Sequence, residues 1–238
     1  MANSIDLEKW VDFWEYFKGT PNQLASIQLL FESIPNSVKQ LDSNWIQLYR
    51  KAESGTELTN PLQVKYFYQT DNGPEGWRQC QTSSIAMCLN FLKVPGITDD
   101  LDYLKIVEKY GDTTLQSSHQ QALKSLNVPA SFKTDGNKAD LIKLIDSGRP
   151  VPMGILHHGP ACSPSGGGHY ITLIGYTATH AICHDPFGCL NCATGKWKST
   201  DKLDGKLTAY LWQNLLPRWN LDNGYDDGWY WDIGQTKK

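Results

Sequence analysis

The apolar residues of this chain change their period part-way along it, and that change restricts the fold more than any other feature. Early in the chain they recur every three or four residues. Trp10, Phe13, Trp14 and Phe17 share one helical face, Leu24, Ile27, Leu30 and Phe31 follow Pro21, and Val38, Leu41, Trp45 and Leu48 form a third stripe. A run opening at Cys80 carries Ile85, Ala86, Cys88, Leu89 and Leu92, and the spacing predicts further helices near 98–110, 117–126 and 137–147. Beyond that the apolar runs are short and broken by turn residues, which predicts strands at 151–156, 169–176, 179–184 and 207–213. A further strand is expected at Val64–Tyr68, ahead of a loop rich in Gly and Pro. Helices followed by antiparallel strands give an α+β fold, not an alternating βαβ one.

The helical period stops around Glu53-Ser54-Gly55-Thr56, which divides the chain into a helical appendage, 1–57, and a main domain, 58–238. With 40% hydrophobic residues, including 9 Trp, the chain can bury a sizeable core. Its 22 basic and 25 acidic residues leave a net charge of −3, so no basic face for nucleic acid is expected. No apolar stretch is long enough to cross a bilayer, and the N-terminus lacks a basic segment followed by an apolar one. The expectation is a soluble protein made in the cytoplasm, reaching any target outside the cell by a route other than a Sec-type signal. The aromatic stripe of the appendage and the run Trp229-Tyr230-Trp231 could stack on sugars. Packing is the simpler reading of both, the latter run as an edge strand or a tail over the core.

The chemistry gathers on four residues. Cys80 follows a Gly/Pro loop and begins an apolar helix, where unpaired N–H groups favour a thiolate. Cys88, on the interior stripe of the same helix, reads as a core residue. His169 follows Gly166-Gly167-Gly168, which leave room for a substrate backbone, and it begins a strand. The next strand returns after Thr177-Ala178, and counting outward brings Asp185 or Pro186 opposite His169, where a carboxylate could orient the imidazole. Gln69 precedes the loop to the cysteine and could donate to an oxyanion. Gln79 is its rival but, being adjacent to Cys80, points away. Gly168 and Trp77 are the substrate-binding candidates. For the other cysteines, Cys162, Cys189 and Cys192, a zinc site with nearby histidines, a disulfide and free thiols all remain open, free thiols being the simplest. His157 and His158 could line the cleft or sit at its rim, and the rim is favoured. There is no phosphate loop, no dinucleotide fingerprint and no His-Glu-x-x-His run, so no cofactor is expected.

In order along the chain, Tyr68-Gln69, the Cys80–Asn90 run, Gly168-His169-Tyr-Ile-Thr-Leu-Ile-Gly175-Tyr176 and Asp185-Pro186-Phe187-Gly188 resemble the papain-like cysteine peptidases of the double-glycine-leader, bacteriocin-processing type. The resemblance spans roughly 60–215. It implies a papain-like α+β fold with Cys80 as nucleophile, His169 as base, Asp185 as orienting acid and Gln69 in the oxyanion hole. Members commonly carry Cys-Gly-Pro at the nucleophile, whereas this chain has Cys80-Gln81-Thr82. The expected function is a cysteine hydrolase of amide bonds. Its layout, a helical aromatic appendage before the hydrolase, is that of a cell-wall lysin, a phage endolysin for instance, so the expected substrate is peptidoglycan. A peptidase that processes proteins after small residues such as glycine is the alternative, and an inactive module that binds peptide or glycan is the second.

Overall fold

The computed structural model describes residues 61–220 and 227–234. The expected N-terminal helices and the boundary at 57/58 lie outside them. Helix α1 (Cys80–Phe91) is followed by α2 (Asp100–Val107) and α3 (Gln116–Ser125), then β1 (Ala130–Gly136) and α4 (Lys138–Asp146). Strands β2 (Val151–His158), β3 (Ser165–Tyr176) and β4 (His180–His184) come next, then the short β5 (Cys189–Asn191) and β6 (Lys196–Ser199). The described chain ends with β7 (Thr208–Leu211), α5 (Trp212–Trp219) and β8 (Gly228–Ile233). Six strands form one sheet in the order β1-β8-β2-β3-β4-β7, every neighbouring pair antiparallel, and β5 and β6 form a separate ribbon. The fold is α+β, with helices packed on an antiparallel sheet.

Local chemistry explains the helix boundaries. Asp99 caps α2 by accepting from the Asp102 backbone N–H, and Asn137 and Asp140 form a reciprocal capping box at α4. Helix α1 has no side-chain cap, so its first turn keeps unpaired N–H groups beside Cys80. Every residue from Gln81 to Leu89 is buried, and such an all-round buried helix has to sit inside the domain. It lies against β3, where the Thr172 hydroxyl donates to the Ser84 carbonyl at 3.2 Å. Cys88 is fully buried and its thiol donates to the Pro150 carbonyl. Alternate residues of β2 and β3 (Val151, Met153, Ile155; Ile171, Leu173) enter a core with Leu141 and Leu144 of α4 and Leu215 and Trp219 of α5.

Three expectations need correction. Val64–Tyr68 is not a ladder strand; it runs beside the sheet, tied by single bonds such as Leu62 N–H to the Ile174 carbonyl and a His184 ring nitrogen to the Val64 carbonyl. Its alternation recorded one buried side and not pairing. The strand expected at 207–213 ends at Leu211 and turns into α5 at Trp212. The Trp229 run is not at an edge. β8 inserts between β1 and β2, and the apolar residues on both its faces are what an interior strand requires.

Three buried histidines give this domain a pH signature. Burial holds His119, His180 and His184 down to about 4 each. They take up protons in the unfolded chain near the usual 6.5 but in the folded chain only near 4. The unfolded state therefore binds more protons in that window, and stability falls as pH drops through it. Thermal midpoints should decline steadily from pH 6.5 to 4; a flat profile would show that these imidazoles are not buried neutral.

Candidate active site

Cys80 is the first residue of α1 and lies half-buried where the helix meets β3. His169, from β3, is buried, and its Nε2 bonds to Asp185 Oδ1 at 2.8 Å. Cys80 borders the same cleft as this imidazole and acts on it electrostatically. With Nε2 on the carboxylate, Nδ1 is the nitrogen left for the sulfur. Burial alone would push His169 down. The Asp185 charge and hydrogen bond, with the influence of Cys80, overcome it and raise the imidazole to about 10. A protonated, charged imidazole is thus the state that the surroundings favour at neutral pH.

Asp185 is fully buried and multiply held. Its Oδ1 also accepts the Phe187 N–H, its Oδ2 accepts the Tyr210 hydroxyl at 2.7 Å, and its own carbonyl accepts the Tyr66 hydroxyl. Asp185 meets His169 by a register other than the one expected of the hairpin. The ladder pairs Thr172 with His184 across an irregularity between Leu173 and Gly175, and Asp185 reaches the imidazole from just beyond the strand end. Tyr66 and Tyr210 come from distant segments, so no local pattern could have named them.

Gln69 is buried in a short 3-10 turn, Gln69–Asn72. Its Nε2 donates to the Gly76 and Trp77 carbonyls, at 2.9 Å each, and so closes the loop on itself. Gly76 makes this possible, because a Cβ there would stand 2.5 Å from the Gln69 carbonyl oxygen. Gln79 is buried too and accepts the Thr82 hydroxyl through its side-chain oxygen.

A cleft of about 590 Å³ brings Gln69, Trp77, Cys80, Gly168 and His169 together. Aromatic rings wall it. Trp197 meets the His169 ring edge-on at 5.2 Å, Phe187 at 6.5 Å and His157 at 5.9 Å. Trp77 is 64% exposed at the rim. His157 thus borders the cleft, while its neighbour His158 is exposed. Burial, then the neighbouring His169 and His158, hold His157 down to about 4, so it stays neutral beside the charged imidazole.

The three glycines before His169 do different work from that expected. A Cβ on Gly168 would lie 2.5 Å from Trp229 and one on Gly166 would lie 2.1 Å from the His158 ring; only Gly167 faces open space. Two of the three make room for the protein's own rings, Gly168 while also bordering the cleft beside Gly167. Gly168→Ala should therefore cost about 1–3 kcal/mol in urea unfolding, while Gly167→Ala should be near neutral; equal effects would refute this division.

Among the described residues no group of three or more His, Cys, Asp or Glu side chains is placed to hold a metal, and all six cysteines are free thiols. No helix of the described residues is long and apolar enough to cross a membrane.

A helix headed by a thiol, packed on an antiparallel sheet that carries the histidine, defines the papain-like class of α+β proteins. Within it, residues 61–215 match the Peptidase_C39 like family, and the chain belongs to that family of cysteine peptidases. A solved structure of a candidate C39-like peptidase from Bacillus anthracis is similar at 16% identity and a TM-score of 0.45, covering 74% of this chain and 96% of that one. No curated protein matches the chain.

Proposed function

We propose that this cysteine peptidase hydrolyses amide bonds through Cys80, His169 and Asp185, and that its substrate is the peptide portion of peptidoglycan. The observation that carries the catalytic reading is the imidazole of His169, bonded to a fully buried Asp185 in the cleft that Cys80 borders. The Cys80 thiolate attacks the scissile carbonyl, with α1's unpaired N–H groups favouring negative charge at that point. The Cys80 backbone N–H stabilises the tetrahedral oxyanion. Gln69 joins it by exchanging its bond to the Trp77 carbonyl for one to the oxyanion. His169 passes its proton to the leaving amine, then takes one from the water that opens the acyl-enzyme. Asp185 balances the imidazolium charge and fixes the ring.

The substrate reading rests on the aromatic cleft and on the exposed face of Trp77 at its rim, a platform on which a sugar attached to the peptide can stack. Zymography on purified peptidoglycan, with wild type and Cys80→Ala and mass spectrometry of the products, tests it. Clearing by wild type alone, with new amine termini in the stem peptide, is the expected result. A protein that clears nothing but retains one fast-alkylating thiol acts on protein substrates instead. Without that thiol, the domain is a binding module.

Asp185→Asn provides a second check. The carboxylate charge is the main influence raising His169, so its removal should shift the alkaline limb of kcat/KM to lower pH by more than about one unit. An unmoved limb would show that Asp185 does not set the charge of the imidazole.

A further inference from the structure

Resting on the hydrolase reading above, we infer that Gln81 and Trp229 form a pair of hydrogen-bond donors in the cleft that selects a peptide with a carboxamide or carboxylate side chain next to the scissile bond. Gln81 occupies the position after the nucleophile. It is 3% exposed, borders the same cleft as Cys80, and its Nε2 has no hydrogen-bond partner. Trp229 borders the cleft too, and its indole Nε1 is likewise buried and unpartnered.

Unpaired buried N–H groups are costly, on the order of 1–3 kcal/mol each. The neighbouring amide shows the contrast, since the Gln69 Nε2 has two carbonyls within 2.9 Å. The indole is also built into place. A Cβ on Gly154 would come within 2.9 Å of it, and one on Gly168 within 2.5 Å, so glycines on both β2 and β3 are needed to seat it. The charge around the cleft sets the sign of the ligand. Arg78 and the His169 imidazole border it, each held from behind by a carboxylate, Asp112 and Asp185, and no Asp or Glu lines the cleft itself among the described residues. Such a wall accepts C=O groups and gives a cation nothing to pair with. A carboxamide oxygen carries two acceptor lone pairs and a carboxylate about four, enough to satisfy both donors.

The test is kcat/KM on a peptide series that varies only one residue beside the scissile bond: Gln, Glu, isosteric Met and Lys. Wild type should prefer Gln or Glu over Met by at least about tenfold, as expected where a site built for a polar group meets an analogue lacking it. The order of Gln and Glu tells whether the amide or the anion is the natural group. Gln81→Met should erase most of that preference and also raise the thermal midpoint, because it removes an unpaired buried donor. Gln81→Glu, which repels an anion, should hit the Glu peptide hardest. Trp229→Phe, which keeps the ring packing, should lose part of the preference. A wild-type preference for Met or Lys, or an unchanged ratio in Gln81→Met, would overturn the inference. If no peptide turns over, calorimetric binding of the same series to Cys80→Ala should give the same order, and no binding would overturn it as well. The alkylation rate of Cys80 in Gln81→Met separates the two readings, since it stays fast if only selectivity is lost and is absent if the hydrolase reading fails.

Discussion

Cys80→Ala is expected to abolish hydrolysis, lowering turnover by on the order of 10⁶-fold, with the fold intact. The thiol is half-buried at the start of α1, and alanine suits the first turn of a helix, so the loss is chemical and not structural. The same substitution should remove the one fast-alkylating thiol at neutral pH. Cys88 and Cys183 are fully buried, and burial pushes both thiols well up, which leaves them slow. Cys162 is exposed and Cys189 half-exposed, so the rate of Cys80 is read in a background with both changed to Ser. Wild-type kcat/KM should hold through neutral pH and fall only near 10. His169 is raised to about 10, so it keeps its proton below that pH and loses it above. Residual activity in Cys80→Ala within about a hundredfold of wild type would place the nucleophile elsewhere.

Arg218→Met should lower stability by about 4 kcal/mol or more. Arg218 is fully buried in α5, and all its hydrogen bonds among the described residues go to backbone carbonyls. Its Nε donates to Cys192 at 2.6 Å, its Nη1 to Leu156 and His158, and its Nη2 to Gly159 at 2.6 Å. Those carbonyls belong to the end of β2 and the segment after β5, the two pieces that carry His157 and lead into the ribbon holding Trp197. Removal takes the Arg218 donors away from four carbonyls and frees one wall of the cleft. Arg218→Lys should fail nearly as badly, because an ammonium cannot reproduce a planar fork of donors. Urea unfolding of both variants gives the measurement, and an unchanged midpoint would mean that solvent reaches these carbonyls.

Much of this was legible in the chain and some was not. The hydrophobic period placed α1 to α4 and β2 to β4 to within a few residues, because each buries a regular face. β1 and β5 to β7 were missed or misjudged, being short or half-exposed segments where pairing, not composition, decides the state. The same holds for α5, whose inward residues Trp212, Leu215 and Trp219 follow directly on a strand.

The site divides in the same way. Local sequence alone marked Cys80, since a thiol at the head of an apolar helix is a short-range arrangement. A hairpin count brought Asp185 to His169 because neighbouring strands turn sequence distance into spatial distance. Neither Tyr210 on Asp185, nor Trp229 seated on Gly154 and Gly168, nor Arg218 under the cleft wall follows from any local spacing. These contacts join segments tens of residues apart, and the folded sheet alone brings them within bonding distance. Sequence by itself thus determined the helix–sheet class and the candidate residues proposed to react; the tertiary structure decided which groups hold them, because buried hydrogen bonds take whatever partners the packed chain brings near.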